Sequence, residues 1–256
     1  MGKVVVFDSG LGSLSIVKAI MKRTKSEVIY FADQKNYPYG QKTHAELRYI
    51  IERTIQSLRK KFKPDIIIVG SNTPTLLFPD LFAKNKAIMG VLPPLTVAQK
   101  NTKTSSIAIL GSKAAVTSKQ TEKFIQNNVS KKIHITKIDA TKLIDLVESG
   151  AFLYDKKYCA IMVDQVLSKK ILKRSIDVVT LSSTHLPFLL PILKKSFPMV
   201  MFLDPAMQVA TQLTQNEFFV ESAKKSLQVF SSGDPKKLEQ KLLKMKIKVK
   251  VRLLAF

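Results

Sequence analysis

Two stretches of this chain end in residue types that do chemistry, and the two are copies of one another. Asp65-Ile-Ile-Ile-Val-Gly-Ser71-Asn72-Thr73 aligns with Asp177-Val-Val-Thr-Leu-Ser-Ser183-Thr184-His185 at a constant offset of 112 residues, and the match extends to Pro79 against Pro191. Each copy reads as a buried strand running out into small hydroxyl and amide side chains, followed by a helix. In open α/β sheets ligands bind at such places. Side-chain donors and the unpaired N–H groups of a helix start converge there, beyond the carboxyl ends of the strands, and favour an anionic group. Two such ends, one in each half, imply two lobes facing a shared cleft. A duplication that kept no function would leave the same repeat, and Ser, Thr and Asn are also common helix caps for stability alone.

The elements that must position these residues follow from short apolar runs alternating with helical patterns, the signature of a parallel α/β sheet. Strands are expected at Val4–Phe7, Val28–Phe31, Ile66–Val69, Ala87–Met89, Ile107–Leu110, Ile133–Ile138, Val178–Leu181, Val200–Leu203 and Leu227–Phe230. Thr43-His-Ala-Glu46 reads as a capping box, with Thr43 capping a free N–H and Glu46 reaching back. Leu47, Ile51, Ile55, Leu58 and Phe62 then recur on one helical face, which Pro64 ends. The tail from Lys244 to Arg252 alternates apolar and cationic residues and reads as an edge strand guarded by lysine.

Composition narrows the function classes. The 256 residues, 45% apolar, are enough for one large domain or two small ones. No apolar run is long enough to span a membrane, and Asp8 interrupts the N-terminal run too early for a secretory signal, so a cytoplasmic protein is expected. The one cysteine, Cys159, excludes an internal disulfide and any cysteine-based metal cluster; it lies in an apolar helical stretch and reads as buried packing. Three widely spaced histidines make no metal set, and His44 and His134 carry no motif. Gly10-Leu-Gly12 is too short a glycine pattern for a dinucleotide, so no cofactor is expected. The net charge of +23 attracts anions and, non-specifically, nucleic acid. The lysine pairs are scattered along the chain and mostly lack aromatic neighbours, which reads as a solvated surface rather than a dedicated nucleic-acid site.

An ordered set of motifs carries a resemblance. Phe7-Asp8-Ser9-Gly10-Leu11-Gly12, Pro38-Tyr39-Gly40, Gly70-Ser71-Asn72-Thr73, Leu146-Val147-Glu148-Ser149-Gly150, Ser182-Ser183-Thr184-His185, Asp204-Pro205 and Ser231-Ser232-Gly233-Asp234-Pro235 follow one another along nearly the whole chain. Asp204-Pro205 begins a helix familiar from the aspartate/glutamate racemase superfamily, and the other six resemble its F-D-S-G-x-G, P-Y-G, A-C-N-T, L-V-E-x-G, G-C-T-H and S-G-D-P, glutamate racemase most closely. The resemblance implies two pseudo-symmetric α/β lobes, with mainly parallel sheets flanked by helices and a ligand cleft between them. One lobe would hold residues 1–92 and 206–256, the other residues 93–205, with Pro93-Pro94 and Asp204-Pro205 at the crossings. It also implies cofactor-independent racemisation of an amino acid by two bases, and substrate contacts from Asp8, Ser9, Tyr39, Gly40, Asn72, Thr73, Thr184 and His185. A homodimer is left open by it.

The departure from the pattern lies where the chemistry is. By resemblance Ser71 and Ser183 occupy the places of the two catalytic cysteines, with Asp8 beside the first and Glu148 and His185 beside the second. A thiol suits removal of a weakly acidic α-proton because its pKa is near 8.5 and neighbours lower it readily. A serine hydroxyl is a weak base unless another group takes its proton. Gly70, Ser182 and Pro74 also depart from the pattern. Three functions stay open: a divergent isomerase with atypical bases, a protein that binds an amino acid or dicarboxylate without turnover, and a basic nucleic-acid-associated protein. A Ser183-His185-Glu148 hydrolase is the weakest reading, because no Gly-x-Ser-x-Gly elbow surrounds Ser183.

Overall fold

The computed structural model describes residues 2–256 and divides into two compact α/β units. The first runs to Val91 and resumes over Ala206–Phe256; the second is Leu92–Pro205.

Six strands of the first unit form one sheet: β1 (Lys3–Asp8), β2 (Glu27–Ala32), β3 (Ile66–Val69), β4 (Ile88–Met89), β9 (Ser226–Ser231) and β10 (Val251–Leu253), the last two numbered after four strands of the second unit. Their order is β10-β9-β2-β1-β3-β4, and every pairing is parallel. β1 and β3 are buried along almost their whole length because helices cover both faces of the sheet, which is why they are continuous apolar runs. On one face the helix His44–Phe62 packs Leu47, Ile51, Ile55 and Leu58 against Val5, Phe7, Ile67 and Val69. Truncating a side chain such as Leu58 there removes contacts worth about 2–5 kcal/mol. The helix Leu14–Arg23 packs against the helix Ala206–Thr214, so the segment after the second unit completes the first.

The second unit holds β5 (Ser106–Gly111), β6 (His134–Asp139), β7 (Val178–Ser182) and β8 (Met201–Leu203) in the order β6-β5-β7-β8, again all parallel. Its core joins Leu110, Val179 and Leu181 to the helices Thr141–Ser149, Lys156–Lys173 and Leu190–Ser196 through Leu143, Val147, Val163, Leu167 and Leu193. The expected α/β class with parallel sheets flanked by helices is the observed one.

The repeat has a structural meaning at both ends of its strands. β3 begins at Ile66 and β7 at Val178, the same 112-residue offset. At the amino end, Asp65 accepts a hydrogen bond from the Lys3 amide (2.9 Å). Asp177 likewise accepts from Thr102 Oγ1 (2.6 Å) and from the amides of Lys103 (2.6 Å) and Thr104 (3.1 Å). Partial burial alone pushes the Asp177 carboxyl up, but these donors hold it below the usual carboxylate range. Both aspartates therefore staple the start of a central strand to its neighbour.

Two local expectations are corrected. Thr43 does cap the helix, accepting from the Glu46 amide (3.2 Å), but the Glu46 carboxylate pairs with Lys42 Nζ (3.2 Å), so the reciprocal half of the box is not formed. The tail is not one long strand. The helix Pro235–Lys244, capped by Asp234, extends into it, and only Val251–Leu253 pairs, as an edge strand on β9. The helix prevails because Leu238 and Leu242 bury on its inner face, whereas the alternating lysines from Lys244 to Lys250 have no sheet partner.

Candidate functional site

Each sheet has a point where the strand order reverses, between β1 and β3 in the first and between β5 and β7 in the second. From β1 the chain goes to β2 on one side and to β3 on the other; from β5 it goes to β6 on one side and β7 on the other. Such a reversal opens a crevice beyond the carboxyl ends of the two strands, since the connections leave on opposite faces. The residues singled out by type fall at these two ends. Asp8 is the last residue of β1, and Ser71 caps the helix Asn72–Leu77 just past β3. Ser183, Thr184 and His185 follow β7 directly.

At the first edge Asp8 is buried and its Oδ1 accepts from the Ser9 amide at 2.7 Å. Tyr30 donates its hydroxyl to the Gly10 carbonyl and so holds the turn that follows. Ser71 caps its helix without any side-chain hydrogen bond to it, and its carbonyl instead accepts from Thr75 Oγ1 at 2.7 Å. Thr75 in turn accepts from the Val91 amide (3.1 Å), while Asn72 Nδ2 donates to the Val91 carbonyl (3.0 Å). The helix start is thus tied to the Gly90-Val91 segment from two sides. Asn72 Oδ1 is the exception: it is buried and has no partner among the described residues. A buried acceptor left unpaired costs about 1–3 kcal/mol, so it offers a place for an N–H donor.

At the second edge His185 is buried and its Nε2 lies 3.1 Å from Glu148 Oε2. Glu148 stands in the last turn of the helix Thr141–Ser149, before Gly150 turns the chain with φ 89°. His185 precedes the short 3₁₀ turn Leu186–Leu189. The carboxylate therefore fixes the imidazole ring. Among the described residues no hydrogen bond joins Ser183 Oγ to His185, so the acid–histidine half of a hydrolase triad is present without its link to serine.

Register shows what the sequence did not. Val4 pairs with Ile66 and Ile107 pairs with Val178, so Asp8-Ser9 corresponds to Gly111-Ser112. Ser112 caps the short helix Lys113–Thr117 by accepting from the Ala115 amide (3.3 Å) and is the counterpart of Ser9. The acid at Asp8 has no counterpart at Gly111. Each edge nonetheless carries a carboxylate of the sequence motifs: Asp8 on the strand at the first, Glu148 from a helix at the second.

The chain is 29% identical over 245 residues to the glutamate racemase of Clostridium botulinum, spanning 91% of this chain and 92% of that protein. A glutamate racemase isoform from Bacillus anthracis superposes with a TM-score of 0.88 at 22% identity, over 100% of this chain and 98% of the other. The glutamate racemase of Francisella tularensis, in a crystal structure with D-glutamate, superposes with a TM-score of 0.82 at 20% identity, over 99% and 97%. The chain is a homologue of the glutamate racemases. No family model matches it.

In this racemase homologue the Pro38-Tyr39-Gly40 loop is held by a carboxylate that its motifs did not point to. Asp33, buried after β2, accepts from Tyr39 OH (3.0 Å), from Asn36 Nδ2 (2.8 and 3.0 Å) and from Ser232 Oγ (3.1 Å). The Ser231-Ser232-Gly233-Asp234-Pro235 turn packs on the same segment, with Ser231 Oγ donating to Gln34 Oε1 (2.8 Å). Burial, then the charges of Asp33 and Asp8, push the Tyr39 phenol well above its ordinary pKa. Its protonated form is the one the fold stabilises, so this contribution is whole below the unfolded value of about 10 and is lost as pH rises through the higher folded value. Ultraviolet titration of tyrosinate is expected to show a late phase that Tyr39→Phe removes. Parent and variant curves that coincide on the alkaline side would contradict this.

Thr73 is buried in the first turn of the helix Asn72–Leu77, Thr184 is buried after β7, and Gly40 lies in the 3₁₀ turn Tyr39–Gln41. Cys159 is fully buried in the helix Lys156–Lys173, and burial raises its thiol pKa, so it supplies no reactive thiolate. His44 packs edge-on against Phe78, and His134 is exposed on β6. Among the described residues no group of His, Cys, Asp and Glu is placed to hold a metal. No helix among them is long and apolar enough to cross a membrane.

Proposed function

We propose that this chain is a cytoplasmic glutamate-racemase-like protein that binds glutamate or a close relative and racemises it poorly. The observation that carries the reading is the equivalent placement of Ser71 and Ser183, each just past the central strand at the order reversal of its own sheet, with a carboxylate kept at each edge. The binding part rests on the surviving donors and acceptors. Ser9, Asn72, Thr73 and Thr184 keep the residue types a carboxylate and an ammonium need, and the unpaired Asn72 Oδ1 suits the ammonium N–H. Relatives of similar length support glutamate as the substrate class, among them the Francisella tularensis glutamate racemase in complex with D-glutamate.

The slow turnover follows from the bases. Racemisation without a cofactor needs one group to take the α-proton while its partner delivers another to the opposite face. A base must come within about 2.6–3.2 Å of the proton's path to do so. Asp8 and the Glu148–His185 pair are built into hydrogen bonds of the scaffold, and the residues ahead of them are hydroxyls.

The test has two readouts on the wild-type protein. Millimolar glutamate is expected to raise the melting temperature by about 2–4 °C, the shift that roughly 1 kcal/mol of ligand binding confers on a chain of this size. In heavy water, Cα of D- and L-glutamate is expected to exchange slowly. No thermal shift with any amino acid or dicarboxylate would end the binding reading. Rapid exchange of both enantiomers would end the claim that serine limits turnover.

A further inference from the structure

We infer that the second unit carries a separate binding site for a small amphipathic organic anion, in a cavity of about 580 Å³ between the helices Lys156–Lys173 and Leu190–Ser196. This volume falls within the range of about 300–1,000 Å³ typical of small-molecule pockets. The site lies in one unit and does not depend on the racemase reading.

Its floor is apolar and fixed. Phe152 and Phe188 meet with ring centroids 5.5 Å apart and planes inclined by 45°, and Ile192 adds an aliphatic wall. Phe152 stands in the turn that follows Glu148, and Phe188 in the turn that follows His185, so the Glu148–His185 contact at 3.1 Å braces both rings. A floor held in this way loses little freedom on binding.

The rim is cationic. Lys156, Lys157 and Lys195 line the same cavity, are exposed, and have no carboxylate partner among the described residues. Lys156 and Lys157 sit in the first turn of their helix, where the helix dipole disfavours cations and the N-cap Asp155 is the acid beside them. The carboxylate of Asp155 is engaged by the Tyr158 amide at 2.9 Å. Three unpaired cations around an aromatic floor match a ligand with an aromatic or alkyl body and one carboxylate, sulfonate or phosphate. They do not match a second copy of the chain, because a net charge of +23 on each partner opposes such docking.

The experiment uses the full chain and 8-anilinonaphthalene-1-sulfonate, an aromatic sulfonate whose fluorescence reports binding. Saturable binding at one site per chain is expected. Lys156→Glu with Lys195→Glu is expected to weaken it at least tenfold. Lys131→Glu with Lys132→Glu, which changes net charge equally on exposed residues away from the cavity, is expected to leave it within about twofold, because long-range charge is screened by salt. Ala160→Trp, which fills the cavity without changing charge, is expected to abolish it. Displacement by octanoate, indole-3-acetate or adenosine monophosphate then tells an alkyl carboxylate, an aromatic carboxylate and a phosphate apart. Equal losses in both charge-reversal pairs, persistence in Ala160→Trp, or displacement by none of the three would overturn the site. So would sedimentation showing that Ala160→Trp breaks a dimer, which would give the cavity to a second copy.

Discussion

Ser71→Cys together with Ser183→Cys is expected to raise Cα deuterium exchange of glutamate by on the order of a hundredfold or more over the parent, within the 10²–10⁴ range of a positioned acid or base. On the proposed reading the supporting groups are Asp8, buried at the end of β1, for the first position, and Glu148 with His185, in contact at 3.1 Å, for the second. The missing element is a group that ionises near neutral pH, which a thiol supplies and a hydroxyl does not. Each single change should give less than the pair, because a base on one face needs an acid on the other. A single change is nonetheless expected to open exchange on one enantiomer alone, Ser71→Cys with one hand and Ser183→Cys with the other. That asymmetry is the sharper readout, since a merely stabilising substitution would not discriminate between mirror images. A double variant that still binds glutamate but exchanges no faster than the parent would show that lost thiols do not explain the slow turnover.

How much of this was legible in advance varies with the range of the interaction. The strands Ile66–Val69 and Val178–Ser182 could be read almost to the residue, because a central parallel strand buried on both faces must be apolar without interruption. The two strand ends, with Asp8, Ser71, Asn72, Ser183 and His185, could be named from the repeat and the motif order, both of which are local patterns. Asp33, Thr75 and Ser112 could not. Asp33 matters because Ser232, 199 positions away, packs on the loop that Asp33 holds, and Thr75 because Val91 returns beside it. Ser112 emerged only from the pairing register of β5 with β7. The tail shows the opposite error. An alternating pattern over Lys244–Arg252 is a valid strand signal, but a strand needs a partner, and β9 offers one only to Val251–Leu253.

Gly70→Ala, a change toward the residue the family resemblance places before the first catalytic position, is expected to destabilise this protein by about 1–3 kcal/mol, the usual cost of overpacking a buried site. A Cβ added at Gly70 would lie 2.3 Å from Ser13 Cβ and 3.2 Å from the Phe7 carbonyl. Ser13 is fully buried, and the Gly70 amide is already committed to Phe7 O at 2.7 Å, so neither side can yield cheaply. The small residue at position 70 and the serine at position 13 therefore form one packing unit. Ser13→Gly should relieve the strain: it removes the offending Cβ, and it sacrifices no cap, because Ser13 makes no side-chain hydrogen bond to the helix Leu14–Arg23 and its Oγ is unpaired. Glycine is also tolerated at a helix N-cap. The double variant Ser13→Gly with Gly70→Ala should then recover most of the loss in a denaturant titration, a coupling between neighbours that independent sites do not show. Gly70→Ala as stable as the parent, or a double variant no better than the single, would break the link between the two positions. The consequence reaches the chemistry, because Ser71 follows directly. A strand end displaced by about an ångström can cost on the order of a hundredfold in rate. Installing thiols on the parent backbone is therefore the cleaner comparison, and adding Gly70→Ala without Ser13→Gly should reduce whatever exchange the thiols restore.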